Sequence, residues 1–200
     1  MATRRIGIPG TTTTRWGEHL CAFFYSKADL LNLIVPYVKA GLEDNEFCLW
    51  ITGGPVTKTE AFEALKAALP AAQRYVESNQ LAIIPSDEWY LSAGRFDPQK
   101  SFENWARKAH AAEVNGFTGA RTTGNPFWLQ TEEEWAQFLR YEGTVNRAIE
   151  SQRVISLCTY PVNICTSRHM LGTFSTHHAM LMTHGDQWQC LDLRPRSAVT

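Results

Sequence analysis

The chemistry-bearing residues of this 200-residue chain begin with His19 and Cys21, two positions apart in the run HLCAFF. In a strand that spacing puts both side chains on one face, where an imidazole and a thiol can grip one ligand or one soft metal ion. The competing reading is packing, because a buried cysteine most often serves as a small hydrophobe. Cys158 and Tyr160 repeat the period-2 relation in SLCTYP. If both runs lie centrally in one sheet, Cys21 and Cys158 can approach each other as a two-thiol site. Arg121 stands beside Thr122 and Thr123, and it can bind an anionic ligand group or pair with Glu142. The internal pair is the favoured reading. Tyr25, Trp89, Tyr90 and Trp128 can wall an apolar pocket, although seven tryptophans in a chain of this size mostly fill core. His177 and His178 are adjacent, so in a strand they point to opposite faces, a poor geometry for chelating one ion. With His184 they are assigned to the surface or a sheet edge. A nucleophilic set can be drawn from Glu18, His19 and Cys21, but most chains of this composition offer one.

Other chemistry finds less support. A phosphate-binding loop needs glycines and a GK[ST] ending so that backbone amides and a lysine can hold the phosphates. The segment CAFFYSKADL has no glycine, and its Lys27 precedes alanine. FTGARTTG lacks an aspartate placed to hold magnesium. The five cysteines form no CxxC pair, so a zinc ribbon is unsupported and the thiols are read as reduced. No catalytic residue, metal or cofactor is expected.

These side chains must be positioned by elements whose pattern is legible. Short runs rich in β-branched and aromatic residues alternate with longer segments of helical spacing, which predicts an α/β fold with a mostly parallel sheet. Strands are expected at 19–24, 46–52, 81–85, 117–123 and 154–160. Helices are expected at 27–43, 57–69, 72–77, 98–114, 131–150 and 166–176. A closing antiparallel hairpin spans 179–193, turning at His184-Gly185-Asp186. In such sheets ligands gather outside the carboxyl ends of the strands, which selects Cys21–Ser26, Thr52–Pro55, Ser86–Tyr90, Thr122–Trp128 and Cys158–Pro161. Residues 1–15 read as a disordered lead-in, 16–193 as one domain and 194–200 as a tail. The 19 basic and 20 acidic side chains nearly cancel, so neither nucleic acid nor a membrane surface is a predicted partner. The longest apolar runs fall short of a membrane span, and a cytoplasmic location is expected.

The chain resembles the MEDS family, the methanogen/methylotroph sensory domain of some transcription regulators and histidine kinases. The carriers are HLCAFF followed by YSKADLLNLIVPYVKAGLEDNE, then DEWYLSAGRFDP, ARTTG, YEGTVN and SLCTYP. The resemblance spans about Trp16 to Asp192. It implies a RecA-like three-layer fold with helices on both sheet faces and a degenerate phosphate loop. It also implies non-catalytic sensing of small hydrocarbon derivatives. The family's HxC pattern falls on His19 and Cys21. An output module fused to the domain is not expected, so the signal is expected to pass to a separate kinase or regulator, with the chain as a homodimer. The alternatives are a thiol redox or metal sensor built on Cys21 with His19 or Cys158, and a thiol-dependent hydrolase.

Overall fold

A computed structural model describes residues 3–11, 13–92, 94–184 and 187–194. A short antiparallel pair, β1 (Thr3–Arg5) and β2 (Thr13–Arg15), precedes the main chain path. Then come β3 (Glu18–Phe24), α1 (Lys27–Glu43), β4 (Phe47–Thr52), α2 (Lys58–Ala68), α3 (Ala72–Glu77) and β5 (Leu81–Pro85). They are followed by α4 (Ser86–Trp89), α5 (Pro98–Val114), β6 (Ala120–Gly124), α6 (Glu132–Ile149) and β7 (Val154–Pro161). The last elements are α7 (Ser167–Ser175), β8 (Ala179–His184) and β9 (Gln187–Asp192).

Local chemistry sets these boundaries. Ser26, Thr57 and Thr131 cap α1, α2 and α6, each returning a bond through Asp29, Glu60 or Glu134 three residues on. Asp97 caps α5 ahead of Pro98, which needs no donor in the first turn. The main sheet has the order β5-β4-β6-β7-β3-β8-β9, parallel throughout except for β8 with β9. The chain leaves β3 and crosses to β4, skipping two places that β6 and β7 later fill. Such a reversal of strand order defines a switch point.

Strand alternation divides the core between the two faces. Leu20, Ala22, Phe24, Trp50, Ile155 and Leu157 pack with α1 and α2. Cys21, Leu49, Ile51 and Tyr160 pack with α5 and α6. The predicted α/β fold and its closing hairpin are present, with the turn residues Gly185 and Asp186 outside the described residues. Two expectations are corrected. The fourth strand starts at Ala120, three residues late, because 117–119 complete the turn after α5. The lead-in is not disordered over its described residues: Ile6 and Ile8 are buried against α1, and the Arg4 and Arg5 side chains reach Glu46 and Asp44. Gly7 makes that approach possible. Its φ is +92°, and a Cβ there would stand 2.5 Å from the Pro36 carbonyl oxygen.

Candidate functional site

Four side chains from four separated stretches meet beneath α6. His19 comes from β3 and Cys158 from β7; Glu142 descends from α6, and His177 sits between α7 and β8. Their donor atoms lie within 4.8 Å of one another, and only Cys158 keeps partial exposure. His19 Nε2 is 3.2 Å from Glu142 Oε2 and 3.4 Å from Cys158 Sγ. His177 Nε2 is 3.3 Å from the same carboxylate oxygen. The two imidazoles stack, with centroids 3.9 Å apart and planes 28° apart.

The sheet brings these residues together through register. In the parallel pair β3/β7, Cys21 lies beside Cys158 and His19 beside Ser156, so His19 reaches along the face to the next inward thiol. Strand β8 pairs parallel with β3, Leu20 opposite Ala179, and the His178 amide donates to the His19 carbonyl at 2.8 Å. That register carries His177 to His19. Glu142 is the one acid on the buried stripe of α6, spaced four from Phe138, three before Val145 and seven before Ile149.

Backbone carbonyls orient both rings. His19 Nδ1 lies 3.1 Å from the Thr176 carbonyl and 3.2 Å from Asn146 Oδ1. His177 Nδ1 lies 2.8 Å from the Thr173 carbonyl. A carbonyl can only accept, so each Nδ1 carries the hydrogen. In the neutral rings the Nε2 lone pairs therefore face Glu142, itself an acceptor. Neither Glu142 Oε2 nor His177 Nε2 has an aligned hydrogen-bond partner among the described residues. Burial alone would push the Glu142 carboxyl up, but a hydrogen carried on Nε2 of His177 or of His19 would be donated to the carboxylate, and this outweighs burial and holds it at about 2. Burial first, then neighbouring His19, lowers His177 to about 4. Loss of water and the nearby carboxylate push the Cys158 thiol up.

A polar line runs from this cluster along the sheet. Trp105 Nε1 donates to Thr122 Oγ1 at 3.4 Å, Thr122 donates to Ser156 at 2.9 Å, and Ser156 approaches Cys158 Sγ at 3.9 Å. Tyr160 stands edge-on to His177, and its buried hydroxyl has no partner among the described residues.

The candidates read from the sequence divide accordingly. His19, Glu142 and Cys158 meet in the cluster, while Cys21 points to the same sheet face but packs in the core. Tyr160 borders the site. Trp89 and Tyr90 are buried, and Tyr90 packs against Phe96, Trp128, Phe138 and Tyr141. Trp128 lines a surface cleft of about 610 Å³ with Phe96, Arg95 and Glu134. Tyr25 is 81% exposed and away from the cluster.

Three expectations fail. Arg121 does not pair with Glu142; it lies on the opposite sheet face, where Nε donates to Glu46 Oε2 at 2.6 Å. It is the second residue of β6. His177 and His178 are buried instead of lying at a surface or edge, since β8 is flanked by β3 and β9. They also precede β8, so the alternation that argued against a chelating role for His177 does not apply. The signal for Glu142 was present, as a lone acid at helical spacing within an apolar stripe.

The sequence profile of the MEDS family, "MEthanogen/methylotroph, DcmR Sensory domain", matches residues 18–178. The chain belongs to this family. The transcriptional repressor DcmR of Methylorubrum extorquens is 24% identical over 165 residues. The match covers 80% of this chain and 58% of that relative, so the chain spans little more than half its length. Among solved structures, a KaiC-like protein of Pyrococcus horikoshii superposes with a TM-score of 0.62 at 14% identity, covering 94% of this chain and 86% of that one. The flagellar accessory protein FlaH of Methanocaldococcus jannaschii gives 0.56 at 11% identity, covering 93% and 79%. These likenesses establish the RecA-like fold.

In this MEDS domain the turn that would cradle phosphate is filled from within. The Asp29 carboxylate accepts from the Tyr25 and Ser26 amides, Ser26 Oγ accepts from the Asp29 amide, and Lys27 pairs with Glu60. These residues do not fit a nucleotide phosphate. Among the described residues, no helix is long and apolar enough to cross a membrane.

Proposed function

We propose that this chain is a non-catalytic sensory module that binds a small, largely apolar hydrocarbon derivative and passes its state to a separate regulator or kinase, acting as a homodimer. The observation that carries this reading is the His19, Glu142, Cys158 and His177 cluster, a polar centre set into an apolar layer. Cys158 is the one member of the four that keeps partial exposure. Glu142 belongs to α6 and His177 lies two residues past the end of α7, so a guest that shifts these side chains pulls on both helices. This is a route from occupancy to a changed docking surface. Family membership and a relative that is a transcriptional repressor support a regulatory role.

The test compares two variants. Native mass spectrometry first looks for a co-purifying small molecule. One- and two-carbon halides and alcohols are then titrated while thermal unfolding is followed. Cys21→Ala should lower stability by about 1–3 kcal/mol through lost burial and keep the response. His19→Gln, which retains an amide donor for the Thr176 carbonyl, should lose the response beyond any loss of stability. Response that declines only in step with melting temperature in both variants sinks the reading.

A further inference from the structure

We propose that His19 Nε2, His177 Nε2, Glu142 Oε2 and Cys158 Sγ form a tetrahedral site for one divalent transition ion of the zinc class. The inference takes the cluster named above as the sensory centre and assigns its cofactor.

The first support is spacing. Zinc bonds to nitrogen, oxygen and sulfur of about 2.0–2.3 Å, opened to tetrahedral angles, set neighbouring donor atoms roughly 3.3–3.7 Å apart. Three of the six donor separations, at 3.2, 3.3 and 3.4 Å, are close to the edges of that figure, and all six lie within 4.8 Å. The second support is polarity. Backbone carbonyls claim both Nδ1 hydrogens, leaving two imidazole lone pairs, a carboxylate oxygen and a thiol turned toward one another. The thiol hydrogen cannot satisfy three acceptors, and a proton on one ring would relieve only some of the contacts. A cation at the centre satisfies all four groups. Imidazoles fixed through Nδ1 by carbonyls are also the usual outer support of metal-binding histidines. The third support is the lack, among the described residues, of aligned hydrogen bonds at Glu142 Oε2 and His177 Nε2 despite their short separations. Seating the ion asks the stacked rings to open so that each lone pair meets it. Mixed nitrogen, sulfur and oxygen donors in four-fold array suit zinc, and cobalt(II) can report on the same site.

The test uses the whole chain without any sensory ligand. Purified protein is stripped with chelator, loaded with zinc or cobalt(II), desalted and analysed for metal content and absorption. The expected result is one equivalent of metal, with tetrahedral cobalt bands in the visible and a thiolate-to-cobalt band in the near ultraviolet. Cys158→Ser should remove the thiolate band, and Glu142→Gln or His177→Ala should weaken binding at least about tenfold. Cys165→Ser and Cys190→Ser, whose thiols lie outside the cluster, should change neither readout. These two controls keep the test decisive if a cluster variant fails to fold. Wild-type protein that retains no metal and shows no thiolate band overturns the proposal, as does a band lost on replacing Cys165 or Cys190. Metal binding without response to the hydrocarbon panel would leave this site standing and remove the ligand reading, and the reverse result would do the opposite.

Discussion

Arg121 shows how one buried side chain joins parts of the fold far apart in sequence. Its guanidinium bonds Glu46 through two nitrogens and donates to the carbonyls of Ile6, Tyr37 and Arg5. Arg121→Met should cost about 3–5 kcal/mol in a denaturant titration, because it leaves a buried carboxylate and several carbonyls without their donor. Adding Glu46→Leu should recover part of that loss. Arg121→Lys should resemble the methionine variant, since a point charge cannot replace a planar fork. An unchanged midpoint in Arg121→Met would show that Arg4 carries Glu46 alone. The thiols allow a second residue-level test. At pH 8 under native conditions, exposed Cys190 should alkylate first. Burial pushes Cys165 up to about 12 and leaves it slow, while Cys21 and Cys48 should label only after unfolding. Mass mapping against time checks the order, and early labelling of Cys48 would contradict its place in the core. His19, Cys158 and Glu142 were legible as candidates from residue type and spacing. The partner of Glu142 was not, because the choice between Arg121 and the histidines depends on which sheet face each residue occupies.

At the scale of elements, helical spacing places several helix limits within a residue or two, and α1 matches over its whole length. Local chemistry determines such boundaries, so the sequence carries them. The amino-terminal segment was misread because glycine, proline and threonine composition describes chain stiffness, whereas its order comes from burial against a helix thirty residues away. Gly7→Ala tests that docking. A side chain there meets both the Ala40 methyl and the Pro36 carbonyl at 2.5 Å, in a backbone conformation that L-residues rarely adopt. The expected loss is about 2–3 kcal/mol, from strain together with displaced Ile6 and Ile8. Amide exchange should quicken first in β1 and β2. A variant as stable as the parent, with unchanged exchange at 3–15, would mean that this segment contributes no packing.

For the whole molecule, strand order and function separate. The sheet follows the RecA-like arrangement of its structural neighbours, and α1 begins at the carboxyl end of the central strand β3, where such folds have their ligand crevice. A helix start of this kind attracts anions because its first amides lack internal partners. Here Asp29 already supplies the anion: its carboxylate accepts from the two amides at the turn, and the Ser26 hydroxyl takes the amide of Asp29 itself. Lys27, the lysine in the turn that opens α1, is engaged with Glu60 from α2. A phosphate would have to displace one carboxylate and draw the lysine from another, in a turn without glycine to let its backbone wrap the oxygens. Calorimetry with magnesium-ATP should therefore show no micromolar binding. Asp29→Ala frees the amides but supplies neither glycine nor a free lysine, so it should lower stability by about 1 kcal/mol through the lost cap without creating nucleotide affinity. Micromolar affinity in the parent would overturn the argument at its root. Affinity arising only in Asp29→Ala would mean that the carboxylate alone blocks the phosphate site and that the missing glycines do not matter.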